Sequence, residues 1–199
     1  MIYIGIDPSI NSTGVVIRKI DDQKNLVFEK FFIIKPNKLT KNEQKFQDST
    51  ECFEYIIYNK TDLKDIKYDN HRYEYEKTLN IFRIVNCLSS LLYRYVLTSE
   101  TTIVSMEGIS YGSSTKTSAL CDLAGLNYLI RLMIINLDID VRLNICTPAE
   151  VKKYASGMGN CTKDILSHMF LKIHPEFNEI KKVDDLADAY FMSCISERL

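Results

Sequence analysis

The first thirty-four residues set the strongest constraint on the fold. Three runs of β-branched and aromatic residues, Ile2 to Ile6, Gly14 to Ile20 and Leu26 to Ile34, are separated only by Pro8-Ser9-Ile10-Asn11-Ser12-Thr13 and Asp21-Asp22-Gln23-Lys24-Asn25. Short apolar runs joined by turn-forming residues read as strands of an antiparallel meander. Further on the period changes. Tyr75 to Leu97 carries Leu79, Phe82, Ile84, Val85, Leu88, Leu91, Leu92, Tyr95 and Val96 at helical spacing, which predicts one long amphipathic helix. Thr101 to Met106 is β-branched and apolar, ends at Glu107-Gly108, and precedes a second helix over Thr117 to Leu137. Val141 to Cys146 predicts another strand, Thr147 a helix cap with Pro148 in the first turn, and Gly157-Met158-Gly159 an interruption. A helix after Thr162 runs to about His174, and a last one starts near Val183. Between Lys35 and Arg72 the composition turns to Lys, Asn, Asp and Tyr, with Phe46, Phe53, Tyr55, Ile56 and Ile57 as apolar anchors. That stretch reads as a partly helical insertion in a single domain of 199 residues.

The formal charge is −1, so no domain-wide basic excess points to nucleic acid, and any basic footprint must be local. Six scattered cysteines without a C-x-x-C pair predict reduced thiols. No leader or long apolar segment is visible, which points to a cytoplasmic or nucleoid-associated protein, in a host cytoplasm for a viral or phage source, with a mitochondrial location left open. His71, His168 and His174 lack metal spacing and read as structural or surface residues. The Lys35, Lys38, Lys41, Lys45 series reads as a solvated face, with phosphate contact as the second reading.

Four acids fall where such a fold would expose them together. Asp7 ends the first strand and Glu107 the fourth, while Asp185 and Asp188, three apart, share a face of the last helix. Each alone has an ordinary explanation: a turn residue before Pro8, a loop acid before Gly108, acids favoured at a helix start. Asp188, however, sits among Leu186, Ala187 and Ala189. A carboxylate in such surroundings is costly unless paired or bound to a cation. Hard cations such as Mg²⁺ take oxygen ligands, and two ions about 3.5–4 Å apart need several carboxylates.

The blocks Ile4-Gly-Ile-Asp-Pro-Ser-Ile-Asn-Ser-Thr-Gly14, Met106-Glu107, Pro148-Ala-Glu-Val-Lys-Lys153 with Gly157-Met-Gly-Asn-Cys-Thr-Lys163, and Asp185-Leu-Ala-Asp-Ala occur in the order in which the RuvC family of Holliday-junction resolvases carries them, and the chain resembles that family. Asp184-Asp185-Leu-Ala-Asp188 also resembles the mitochondrial and poxviral resolvase branches. The resemblance implies an α/β, RNase H-like fold with a mixed five-stranded sheet flanked by helices, a homodimer, and paired nicks across branched DNA, above all four-way junctions. It implies Asp7, Glu107, Asp185 and Asp188 as catalytic acids and ligands of two Mg²⁺ ions, with Mn²⁺ substituting, and a water attacking in line to leave 5′-phosphate and 3′-hydroxyl ends. Lys163 falls on a lysine that contacts DNA or supports catalysis, and Lys152 on another. Where bacterial members tend to carry an aromatic residue three positions after the glutamate, this chain has Ser110 followed by Tyr111, a candidate for unstacking junction bases. The role of Asp184 is open. The apolar excess on the two long helices suits a dimer interface.

Other functions share part of this pattern. A nuclease of the same fold can act on flaps, forks or other branched DNA, and a protein that has lost activity can still bind junctions. Gly5 to Gly14 also resembles the first phosphate loop of the sugar-kinase and actin superfamily, but that phosphotransferase reading needs a second lobe and further glycine loops, and 7 glycines in 199 residues leave little room.

Overall fold

The computed structural model describes residues 1–66, 68–96, 100–109, 117–137 and 140–199, with the side chains of Asp65, Thr117 and Ser118 left aside. The opening meander is present as β1 (Ile2–Asp7), β2 (Thr13–Ile20) and β3 (Leu26–Pro36), antiparallel with Asp7 opposite Gly14 and Val16 opposite Phe31. After α1 (Lys41–Ser49) comes β4 (Phe53–Tyr58), then α2 (Asn70–Tyr95), β5 (Thr102–Glu107), α3 (Thr117–Ile135), β6 (Val141–Cys146), α4 (Pro148–Ser156), α5 (Lys163–Ile173) and α6 (Val183–Ser196). The sheet order is β4-β3-β2-β1-β5-β6, with β5 parallel to β1 and β6 parallel to β5. This is the expected α/β, RNase H-like arrangement.

The expectation of five strands is corrected to six among the described residues. The extra strand, β4, lies in the 35–72 stretch and runs parallel to β3, with Tyr55 opposite Ile33. It forms because β3 reaches Pro36, leaving an edge to be covered. Phe53 turns inward against Phe46 of α1 and Phe177, with buried Tyr55 edge-on to it, so the 35–72 stretch contributes to the core.

The inner strands are apolar on both faces because helices cover both. Ile2, Ile4 and Ile6 of β1, Val15 and Ile17 of β2, and Phe32 and Ile34 of β3 face α2 and α3. Val16, Phe31 and Ile33 face α5 and α6, beside Phe170, Phe177 and Tyr190. Between Ile4 and Ile6 the α6 face of β1 presents Gly5, where an added Cβ would overlap the carbonyl oxygen of Ala189. At Gly14 of β2 an added Cβ would overlap the carbonyl oxygen of Asp185. With Ala187 and Ala189 also fully buried, α6 lies backbone-to-backbone on β1 and β2. No helix among the described residues is long and apolar enough to cross a membrane.

Candidate active site

Two of the acids are delivered by the ends of neighbouring strands. Asp7 is the last residue of β1, Glu107 the last of β5, and the β1–β5 register pairs Ile6 with Met106, so the two carboxyls leave the same edge of adjacent strands. Open α/β sheets expose such sites beyond the carboxyl ends of their parallel strands. Asn127, buried on α3, donates from Nδ2 to the Glu107 carbonyl at 2.8 Å and fixes the end of β5. The close seating of α6 supplies the rest. Asp185 lies in its first turn beside Gly14, and Asp188 one turn on.

The four carboxyls crowd each other. Burial pushes Asp7 well above the ordinary range, and the charges of Asp188, Glu107 and Asp185 push it further, with Lys163 pulling back. Burial also raises Glu107, against the lowering effect of hydrogen bonding with Asp7 and the pull of Lys163 and Lys152. Burial is the main cause at Asp185 too. Asp188 is pushed up to about 7, by burial first and then, against the opposing pull of Lys163, by Glu107, Asp184 and Asp185. Asp7 and Asp185 are each only 6% exposed.

Lys163, the first residue of α5, reaches in from the rim, its Nζ 3.8 Å from Asp188 Oδ2 and 3.9 Å from Asp184 Oδ2. Its own pKa is raised: partial burial works against the charge, and Asp188, Asp7, Asp184 and Glu107 outweigh it. Thr162, the α5 N-cap, accepts from the Ile165 amide and so sets where this lysine leaves the loop. Lys152, on α4, acts on Glu107 through its field, with no ion pair of its own among the described residues. Asp184 sits at the rim. Ser110 and Tyr111 lie outside the described residues.

Sequence reasoning passed over Ser12. This buried residue sits in the β1–β2 loop, close enough for its hydroxyl to ease the Asp185 charge but not aligned for a bond: among the described residues, Ser12 Oγ and Asp185 Oδ2 are both buried without a hydrogen-bond partner. A hydroxyl in the turn after a strand-end acid was the only signal. Asn127 carried a clearer one, a polar residue between Leu126 and Tyr128 in an apolar helix.

The site fits hard cations by donor chemistry. Its donors are oxygens, its carboxyls are held against ionisation, and Asp185 Oδ2 is an orphaned buried acceptor. Among the described residues no three acid, histidine or cysteine side chains form a ready-made cage. His174, as expected, is structural, packed on Phe31, Phe170 and Tyr190 with Nε2 3.3 Å from Glu29.

No family model and no curated protein matches the chain. Solved structures do. RuvC of Thermus thermophilus in complex with a Holliday junction substrate superposes with a TM-score of 0.55 at 13% identity, over 97% of this chain and 90% of that one. The resolvase of Fowlpox virus with substrate Holliday junction DNA gives 0.50 at 12% identity, over 98% and 95%. The yeast mitochondrial Holliday junction resolvase Ydc2 gives 0.50 at 11%, over 96% and 75%. The structural neighbours of this chain are thus RuvC and other Holliday junction resolvases, and it shares their fold.

Proposed function

We propose that the chain is a structure-selective endodeoxyribonuclease that resolves four-way DNA junctions by paired phosphodiester hydrolysis. The observation that carries this reading is the convergence of Asp7, Glu107, Asp185 and Asp188, all with raised pKa values, beside Lys163 at one edge of an RNase H-like sheet. The junction DNA in the Thermus and Fowlpox complexes supports the choice of substrate.

Two Mg²⁺ ions, or Mn²⁺ in their place, would supply the positive charge that activates a water and stabilises the leaving 3′ oxygen. Asp7, Glu107, Asp185 and Asp188 would hold them, with Asp7 central because it feels the charges of the other three, and with Oδ2 of Asp185 unpartnered among the described residues. Lys163 points its ammonium at the carboxylate cluster, where it would counter charge developing on the scissile phosphate. Lys152 serves the Glu107 side.

Junction cleavage needs two such sites, and a homodimer provides them by two-fold symmetry. Tyr128, Leu132 and Ile135 of α3, each more than half exposed, form an apolar stripe suited to such an interface.

The test is incubation with Mg²⁺ and matched four-way, flap and linear DNAs. Paired nicking of the four-way junction, abolished in Asp7→Asn, is the expected result. Cleavage of no branched DNA, with Asp7→Asn behaving like wild type, would refute the enzyme reading, and preference for flaps would move the substrate to another branch.

A further inference from the structure

Away from the carboxylates, a groove of about 540 Å³ lies between α1 and the segment leading into α6. Thr40, Asn42, Lys45 and Ser49 form one wall, and Glu179 and Lys181 belong to the other. Buried Phe46 and Tyr55 give it a firm apolar floor.

The regularly spaced lysines of the 35–72 stretch do not share one fate here. Lys35 is paired with Glu43 and stands 5.6 Å over the Tyr55 ring, which neutralises one of the two acids in the groove. Lys38, Lys41 and Lys45 are exposed, as are Lys181 and Lys182, and none of the five has an ion-pair partner among the described residues. Glu179 is the opposing charge that remains. Lys182 is three residues before Asp185, and its positive charge reaches that carboxyl. Beyond Lys163, which is paired with Asp188 and Asp184 at the acids, unpaired ammonium groups therefore continue through Lys182 and Lys181 and across the groove to Lys45, with Lys41 on the same helix as Lys45.

We propose that Lys182, Lys181, Lys45 and Lys41 form a track for the phosphate backbone of a DNA arm leaving the carboxylate site, so that the 35–72 segment is a clamp on that arm. The track rests on the nuclease reading of the site. A lone surface lysine is usually just solvated. This set differs in being unpaired among the described residues, in having Lys45 and Lys181 line the groove from opposite walls, and in the side-chain amide of Asn42 lining the same groove beside Lys41. Its spacing also suits DNA. Lys181 lies four positions before Asp185, about 6–13 Å of chain depending on extension. That puts the first tracked phosphate one or two nucleotides from the scissile one.

The test uses the full chain with Lys41, Lys45 and Lys181 each changed to Ala, and a control triple at the exposed lysines Lys24, Lys64 and Lys172. Equilibrium binding to a four-way junction is measured without divalent metal from 50 to 200 mM salt, and cleavage is measured with Mg²⁺ at saturating DNA. Each phosphate contact contributes about 0.9 to the slope of log K against log salt. The track triple should therefore flatten the slope by roughly 2.7, shrinking the wild-type advantage about 40-fold across that range, with cleavage at saturation unchanged and the control like wild type. An unchanged slope, or a control that flattens it equally, overturns the track. A wild type that cleaves no branched DNA while the slope difference persists removes the nuclease reading and leaves the track standing.

Discussion

Replacing Asp188 by Asn should stabilise the metal-free protein while destroying its activity. The Asp188 carboxyl is raised from 3.8 to about 7, first by burial and then by Glu107, Asp184 and Asp185, against the pull of Lys163. At 1.36 kcal/mol per tenfold change in acidity, ionising it withdraws about 4 kcal/mol from the folded state. Its side chain is only 16% exposed, so solvent screens little of this. An acid with a raised folded-state pKa contributes stability that is complete below the unfolded value and is lost as pH climbs through the folded one. The wild type therefore sheds stability from about pH 4 through pH 7, and Asp188→Asn, which cannot ionise, does not. In EDTA the two should melt together near pH 4. At pH 8 the variant should be ahead by up to about 8–16 °C, at roughly 2–4 °C per kcal/mol for a chain of this size. Mg²⁺ should raise the wild-type Tm at pH 8 and the variant's much less, and junction cleavage should fall about a hundredfold or more. Differential scanning fluorimetry across pH, with and without metal, reads all of this. A variant that is less stable at pH 8 in EDTA, or a gap that does not change with pH, would show that the carboxylates are not held under mutual strain.

Three further substitutions probe how the site is built. Gly5→Ala forces a methyl into the Ala189 carbonyl and should cost at least 3 kcal/mol in urea unfolding, where an ordinary overpacked core position costs about 1–3. Tyr58→Phe removes the hydroxyl that donates to the Ile10 carbonyl at 3.0 Å, next to where Lys60 holds Asn11 at 2.9 Å; it should cost about 0.5–1.5 kcal/mol and raise the Mg²⁺ concentration needed for half-maximal cleavage, because the braced loop carries Ser12. Arg18→Ala strips Glu29 of its 2.9 Å partner in a setting where both side chains are about nine-tenths covered, and should destabilise by about 3–5 kcal/mol in the same unfolding assay with cleavage per folded molecule intact.

What could be read from the sequence was what neighbouring residues decide. The opening strands were visible in their alternation and turns. Thr147-Pro148 marked a helix start, where Thr147 and Glu150 close a capping box, and Gly157, at φ 79°, ends that helix as the interruption implied. Asp188 stood out because its apolar neighbours made a charge there expensive. Distant partners decided the rest. Ile56-Ile57 blurs the alternation of β4, and its pairing with β3 runs through α1, so the sixth strand was hidden. Lys35 read like its spaced companions until Glu43 was seen to claim it.

Gly5 and Gly14 illustrate the point most sharply, since in the sequence one lies inside the first strand run and the other merely opens the second. Their function is to have no side chain where a helix from the other end of the sequence arrives. That absence lets α6 approach β1 closely enough for Asp185 and Asp188 to face Asp7. It also crowds four carboxyls into a space that resists their charge. The contact that assembles the site is therefore the same one that strains it, and a cation bound there would relieve the repulsion that the two glycines make possible. On this view Gly14→Ala should lose metal-dependent stabilisation before it loses its fold, since its added methyl meets the backbone of Asp185 itself, whereas Gly5→Ala, deeper under α6, should lose both together.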